Sequence, residues 1–301
     1  MRSRNERSAG TILTLWRRLP VVVRAVLAGL AVATAGTAPW AALVSLNTKH
    51  ASAVPWAVPP TALYLWLFWR YVRGAGWPPS SAEARRACSR ANRLSDDVWG
   101  MALVAGMLGL VAVLALQGVM SRLVALPQQR DLDVTQFPFV TALLWVLMSA
   151  LVAGVVEETA FRGYMQRPIE RRHGPVVAIL VTGTAFGFLH FTHPEVTLAL
   201  LPFYLAVAAV YGALAYLSDS ILPSVVLHAG GNVFSAINLF ASGRSEWDPT
   251  ASSKPLIWTS GPDASFGISL AAALVAAAAA VWAYVALARV ARRPPVPAPP
   301  H

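Results

Sequence analysis

The chain has 301 residues, carries a net charge of +10, is 56% hydrophobic and holds only 13% Asp, Glu, Lys and Arg. That is too apolar for the surface of a water-soluble domain, so lipid must be the solvent for most of the chain. The basic balance does not indicate a nucleic-acid partner, because the Arg residues sit between long apolar runs, as in the cytoplasmic loops of membrane proteins. The single cysteine, Cys88, excludes an intramolecular disulfide and a cysteine-based metal cluster.

About 20 apolar residues are needed to cross ~30 Å of hydrocarbon. Eight stretches qualify: near 20–44, 54–72, 98–120 and 138–160, then near 176–193, 196–217, 221–241 and 264–288. The first follows Arg2, Arg4, Arg7, Arg17 and Arg18 and superficially resembles a signal peptide, but it runs to Val44 without a cleavage signal and reads as a retained helix. The second is followed by Gly74 to Asp97, the longest polar stretch, which reads as a solvated loop with an interfacial helix. The last span, around Ala276 to Ala280, is Ala-rich and suits close packing or a lipid-facing position. The tail from Pro294 to His301 is Pro-rich and reads as a disordered end.

Loop charge sets the expected topology. Arg70, Arg73, Arg85, Arg86, Arg90 and Arg93 follow the second span; Arg162, Arg167, Arg171 and Arg172 follow the fourth; Arg289, Arg292 and Arg293 follow the last. Together with the basic amino terminus they fall on one side of the membrane, while the intervening loops mix Lys49, Arg122, Arg130, Arg244 and Lys254 with acidic residues. The positive-inside rule then predicts an all-α, polytopic helical bundle of about eight transmembrane helices with both termini cytoplasmic.

Ionisable groups at membrane depth are costly and need a partner or a task. They concentrate in three segments. In VVEETAFRG, Glu158 and Arg162 stand four apart and can pair on one helical face, while Glu157 points ~100° away. One carboxylate is thereby neutralised and the other is left free to act; the segment also fits an ordinary charged helix end. In FGFLH, His190 lies inside an apolar span, where a lone His is commonly a hydrogen-bonded packing residue; His193 follows, before Pro194, at the expected interface. In HAGGN, His228 and Asn232 share a helical face, and Gly230 and Gly231 leave room for another helix or an extended substrate; a polar interhelical clamp is the plainer use of the same pair. Collectively these groups suffice for peptide hydrolysis by water: a base, donors for the oxyanion and an acid for the leaving amine, with no Ser or Cys nucleophile.

EETAFR, FGFLH and HAGGN resemble the EExxxR, FxxxH and HxxxN motifs of the CPBP family, which includes the CAAX prenyl endopeptidases and bacterial abortive-infection and bacteriocin-processing proteins. The three occur in the family's order across roughly 135–240, and the rest of the chain resembles the family only in being hydrophobic. The resemblance divides the chain into amino-terminal helices with a basic loop (1–134), a catalytic core (135–241), and a last loop, span and tail (242–301). It implies that Glu157 and His190 activate the attacking water, that His228 and Asn232 stabilise the oxyanion, and that Glu158 and Arg162 are supporting residues. A membrane-associated peptide or protein would be the substrate. The family has been called metalloprotease, and two His plus a Glu are adequate zinc ligands in type. HExxH is missing, however, and the favoured expectation is a glutamate-activated water with no obligatory metal, zinc being the alternative. A transporter path or a non-catalytic scaffold or immunity protein would use similar residues; no inverted repeat supports the first.

The geometry sets one condition. His190 lies ~21 Å into its span, whereas Glu157 looks close to the end of the preceding one. They can meet only if that helix is long or tilted, so that its charged end at Arg171 and Arg172 marks the true boundary, and a conical cavity open to the cytoplasmic side is expected. The richness in Ala, Arg and Pro points to a high-GC bacterium, hence a bacterial cytoplasmic membrane and a peptide precursor as target.

Overall fold

The computed structural model describes residues 14, 16, 18–125, 136–190, 198–242 and 255–292. His193, Arg130 to Asp133, Arg244 to Asp248 and the tail from Pro294 lie outside the described residues, and so does the expectation attached to each. The described residues form helices and connecting turns, with no strand among them. Helices α1 (Val21–Lys49), α2 (Val58–Val72), α3 (Ala82–Ser89) and α4 (Asp96–Leu123) make up the first half. Helix α5 (Phe139–Glu157) continues through a π-helical segment, Glu158–Gln166, into α6 (Arg167–His173). Then come α7 (Pro175–His190), α8 (Leu201–Ser218), α9 (Leu222–Ser242), the short α10 (Ile257–Ser260) and α11 (Ala264–Ala291).

A helix occupies each of the eight expected spans. Among the described residues, five are long and apolar enough to cross a membrane: Val21–Lys49, Asp96–Leu123, Phe139–His173, Leu198–Ser218 and Ala264–Ala291. Helices α2 and α7, of 15 and 16 residues, fall short in length. Helix α9 has 21 residues, but Ser224, His228, Asn232, Ser235 and Asn238 lower its apolar content.

Lipid tails are as apolar as leucine, so burying apolar surface does little to join helices in a bilayer, and close fit between small residues must do so. Helix α1 buries Ala25, Gly29, Ala33, Gly36 and Trp40, a spacing that keeps one narrow face inward. Gly36 is the tightest point: a Cβ there would stand 2.3 Å from Val156 Cγ1. Helix α11 buries only Ala280, Ala283 and Leu287 and presents Val275 and Trp282 outward, as expected for a lipid-facing helix. The long helix from Phe139 runs between two apolar cores. It supplies Trp145, Met148, Val152 and Val156 to one, and Ala160, Phe161, Met165 and Ile169 to the other.

Polar clusters mark the two ends of the bundle. At the basic end, Arg90 pairs with Glu170 at 3.0 Å and Asp219 at 3.1 Å, and Arg167 reaches Asp219 at 3.2 Å. At the opposite end, buried Asn47 donates to the carbonyl oxygens of Ala51 and Val54 and accepts from Ala57 N and Trp145 Nε1. There too Arg122 binds Asp263, which caps α11 by accepting from Phe266 N at 2.8 Å. The Arg122 guanidinium holds the Asp263 carboxyl well below the usual carboxylate range.

The polar stretch 74–97 differs from a simple solvated loop, because Arg85 and Arg90 are buried. Arg85 donates to the carbonyl oxygens of Tyr71, Ala75, Gly76 and Pro78 and to the Ser81 hydroxyl, while lying over the Tyr71 ring. Its charge gathers backbone acceptors that a loop would otherwise leave to water.

Candidate active site

The condition set by the sequence is met by helix length. Phe139 to His173 forms one continuous 35-residue helical rod, roughly 50 Å long at the α-helical rise. Glu157 and Glu158 therefore lie near its middle. Its π-helical segment starts at Glu158, and such wide turns recur at functional sites.

Glu158 and Arg162 form the expected pair, with Arg162 Nη1 3.1 Å from Glu158 Oε1, at 0% and 1% side-chain exposure. Glu158 Oε1 also lies 2.8 Å from His228 Nδ1. The Nδ1 proton is thereby donated to a carboxylate, which turns Nε2 outward; it faces Glu157 Oε2 at 3.8 Å. Glu157 is the more open carboxylate, its side chain 22% exposed. Two helices distant in sequence are held together here by absence of bulk: a Cβ on Gly154 would stand 2.8 Å from Ala229 Cβ and 3.0 Å from Val225 O of α9.

His190 ends α7. Its Nδ1 lies 2.8 Å from the Phe186 carbonyl oxygen, and its ring centroid is 4.5 Å from those of both Phe186 and Tyr204. Among the described contacts, Glu157 faces His228. His190 is joined to the carboxylate cluster through Phe186, whose ring also carries the Arg162 guanidinium at 5.2 Å. Asn232 lies one turn along α9 from His228. Between them, a Cβ on Gly230 or Gly231 would meet nothing within 4 Å among the described residues.

Tyr204 and Tyr211 carry no motif, and the role of their rings is not apparent from spacing alone. The available signal is that the two stand seven apart on an apolar helix, which puts both rings on one face. Tyr211 stacks on His228, with centroids 5.3 Å apart and planes 9° apart. The bond from Glu158 to His228 is likewise invisible in local spacing.

Glu157, His190 and His228 are zinc ligands in type, but they are not disposed as one ligand set. His228 Nδ1 is committed to Glu158, and among the described residues no three or more His, Cys, Asp or Glu side chains could hold a metal ion. Cys88 lies outside this cluster, and burial pushes its thiol up, against the lowering influence of Arg171 and Arg167, which disfavours the thiolate.

Comparison with known proteins adds one finding. Residues 139–234 match the family model described as type II CAAX prenyl endopeptidase Rce1-like. The match covers just under a third of the chain, starts at the first residue of α5 and ends two residues beyond Asn232, so all seven motif residues lie inside it. No curated protein and no solved structure matches the chain. Motifs, helical architecture and family match agree that residues 139–234 carry the pattern of the CPBP/CAAX proteases, to which this part of the chain is similar.

Proposed function

We propose that this protein is an intramembrane endopeptidase that hydrolyses a peptide bond near the membrane surface, with Glu157 as the base that deprotonates the attacking water. The observation that carries this reading is the division of labour between adjacent carboxylates: Glu158 is fully buried and bonded to Arg162 and His228, while Glu157 is partly open. Glu157 takes a proton from water, and the oxygen attacks the carbonyl carbon of the substrate. With His228 protonated on both nitrogens, Nδ1–H held by Glu158, its Nε2–H and the Asn232 amide donate to the resulting oxyanion, and His190 helps to orient the water. The proton held by Glu157 then passes to the leaving nitrogen, the C–N bond breaks, and an acid and an amine are released.

The reaction needs no metal, since the protein groups alone account for every proton. The substrate is a membrane-associated peptide or protein, of CAAX type or a bacterial peptide precursor. The bundle crosses the bilayer eight times, with both termini and the Arg90 cluster on the cytoplasmic side of a bacterial membrane, because all the strongly basic loops then face inward.

The deciding experiment is cleavage of a quenched fluorescent peptide library, prenylated C-terminal peptides included, by detergent-purified protein. Cleavage is expected for wild type, lost in Glu157→Ala and indifferent to a strong chelator. Chelator sensitivity reversed by zinc would replace the metal-free mechanism, and cleavage surviving Glu157→Ala would remove the assignment of the base. Absence of cleavage by wild type on every peptide would favour a binding scaffold.

A further inference from the structure

Neither the motifs nor the family match assigns a role to Tyr211. We infer that Tyr211 is the positioning residue of this site: its ring sets the plane of the His228 imidazole and so aims Nε2 at the reacting groups. The inference rests on the reading of His228 as oxyanion donor.

The ring of Tyr211 stacks almost parallel on His228, and the Arg162 guanidinium carbon lies 5.2 Å from its centroid. The same guanidinium lies 5.2 Å from the Phe186 ring, which in turn touches His190 at 4.5 Å. His190, Phe186, Arg162, Tyr211 and His228 thus form a continuous series of planar groups that links the two histidines through one cation. Planar cation–aromatic contacts of this kind are favourable when desolvated, and Arg162 and Tyr211 are both buried.

A ring can position another only if it is itself fixed. Three successive carbonyl oxygens of α8 each accept a side-chain hydrogen bond from a different part of the fold. Tyr284 Oη of α11 donates to Val210 at 2.9 Å, Ser224 Oγ of α9 donates to Tyr211 at 3.2 Å, and Gln166 Nε2 of the π-helical segment donates to Gly212 at 2.9 Å. Ser224 also stands one turn before His228 on α9, so the backbone of Tyr211 is tied to the helix that bears the imidazole.

The imidazole needs such a support. Its outer torsion is broad, and the bond from Nδ1 to Glu158 pins one atom while leaving the ring able to swing about that point. A face-on contact removes this remaining freedom. Without it, Nε2 would leave its place opposite Glu157, and displacements of about 1 Å at a reacting centre cost on the order of 100-fold in rate.

The test compares Tyr211→Leu and Tyr211→Phe in full-length, detergent-purified protein. The first readout is the NMR signal of the His228 ring protons in histidine-labelled protein, identified by its loss in His228→Asn. Stacking on an aromatic ring shifts these protons upfield; the leucine variant is expected to lose the shift and the phenylalanine variant to keep it. The second readout is kinetic: kcat should fall roughly 10- to 100-fold in Tyr211→Leu with KM little changed, and phenylalanine should restore most of the loss. Should the leucine variant not purify as monodisperse protein, Tyr211→Met, which fills space without a ring, carries the same expectations. An upfield shift that survives loss of the ring, or a KM rise with kcat retained, overturns the inference. If wild type cleaves no peptide, the peptidase reading fails separately, and the ring shift alone decides the role of Tyr211.

Discussion

Glu158 and Arg162, four residues apart on one helical face, form a fully buried ion pair. The second bond of Glu158, to His228, joins residues 70 apart and has no local signature. This double engagement makes Glu158 the residue on which the site geometry depends. Arg162→Met should leave a buried carboxylate uncompensated and destabilise the protein by about 3–5 kcal/mol, seen as a lowered Tm in detergent. Arg162→Lys should recover little, because an ammonium lacks the planar face that meets Phe186 and Tyr211. Glu158→Gln preserves shape but removes the charge that holds the His228 Nδ1 proton. It leaves the Arg162 charge without its carboxylate and should lower Tm as well, and kcat of the folded protein should fall on the order of 100-fold in the peptide assay; unchanged kcat would show that the orientation of His228 does not depend on Glu158.

At the scale of elements, hydropathy located the helices well because burial in lipid constrains every residue of a span in the same way. It could not show which helix packs on which. Nothing in the apolar run of α1 announces that it is part of the scaffold of the site, yet its Gly29 and Gly36 receive Met165 and Val156 of the glutamate-bearing helix. Gly36→Ala should therefore destabilise by about 1–3 kcal/mol through overpacking. Gly100 faces open space in α4, and Gly100→Ala should stabilise by roughly 0.5–1 kcal/mol, the usual gain in a helix interior. Opposite signs for two identical substitutions, read as Tm shifts, check the packing; equal signs would contradict it. The polar face of α9 shows the converse limit: the residues that equip it for chemistry lower its resemblance to a membrane span.

For the whole molecule, charge distribution and contacts describe the same two ends. The Arg90–Glu170–Asp219 cluster joins two connections to α6 at the basic end, and the Asn47 and Arg122 clusters tie down the other. In a Cys88→Ala background, Arg93→Cys and Ala53→Cys should react with a membrane-impermeant thiol reagent from opposite sides of oriented vesicles, and Glu157→Cys from the side of Arg93. Labelling of Arg93→Cys and Ala53→Cys from one side would refute the proposed topology, and reaction of Glu157→Cys from the far side alone would refute a cytoplasmic opening. Composition, loop charge and three short motifs by themselves determined the helical membrane class, the position of the helices and the identity of the charged groups, because each depends on solvent or on neighbours within two turns. Only the tertiary structure decided that the glutamates lie mid-helix, that Glu158 serves Arg162 and His228 together, and that Tyr211 stands behind the imidazole. Those facts depend on contacts between distant helices, made where small residues allow close approach, and no local pattern encodes which surfaces will meet.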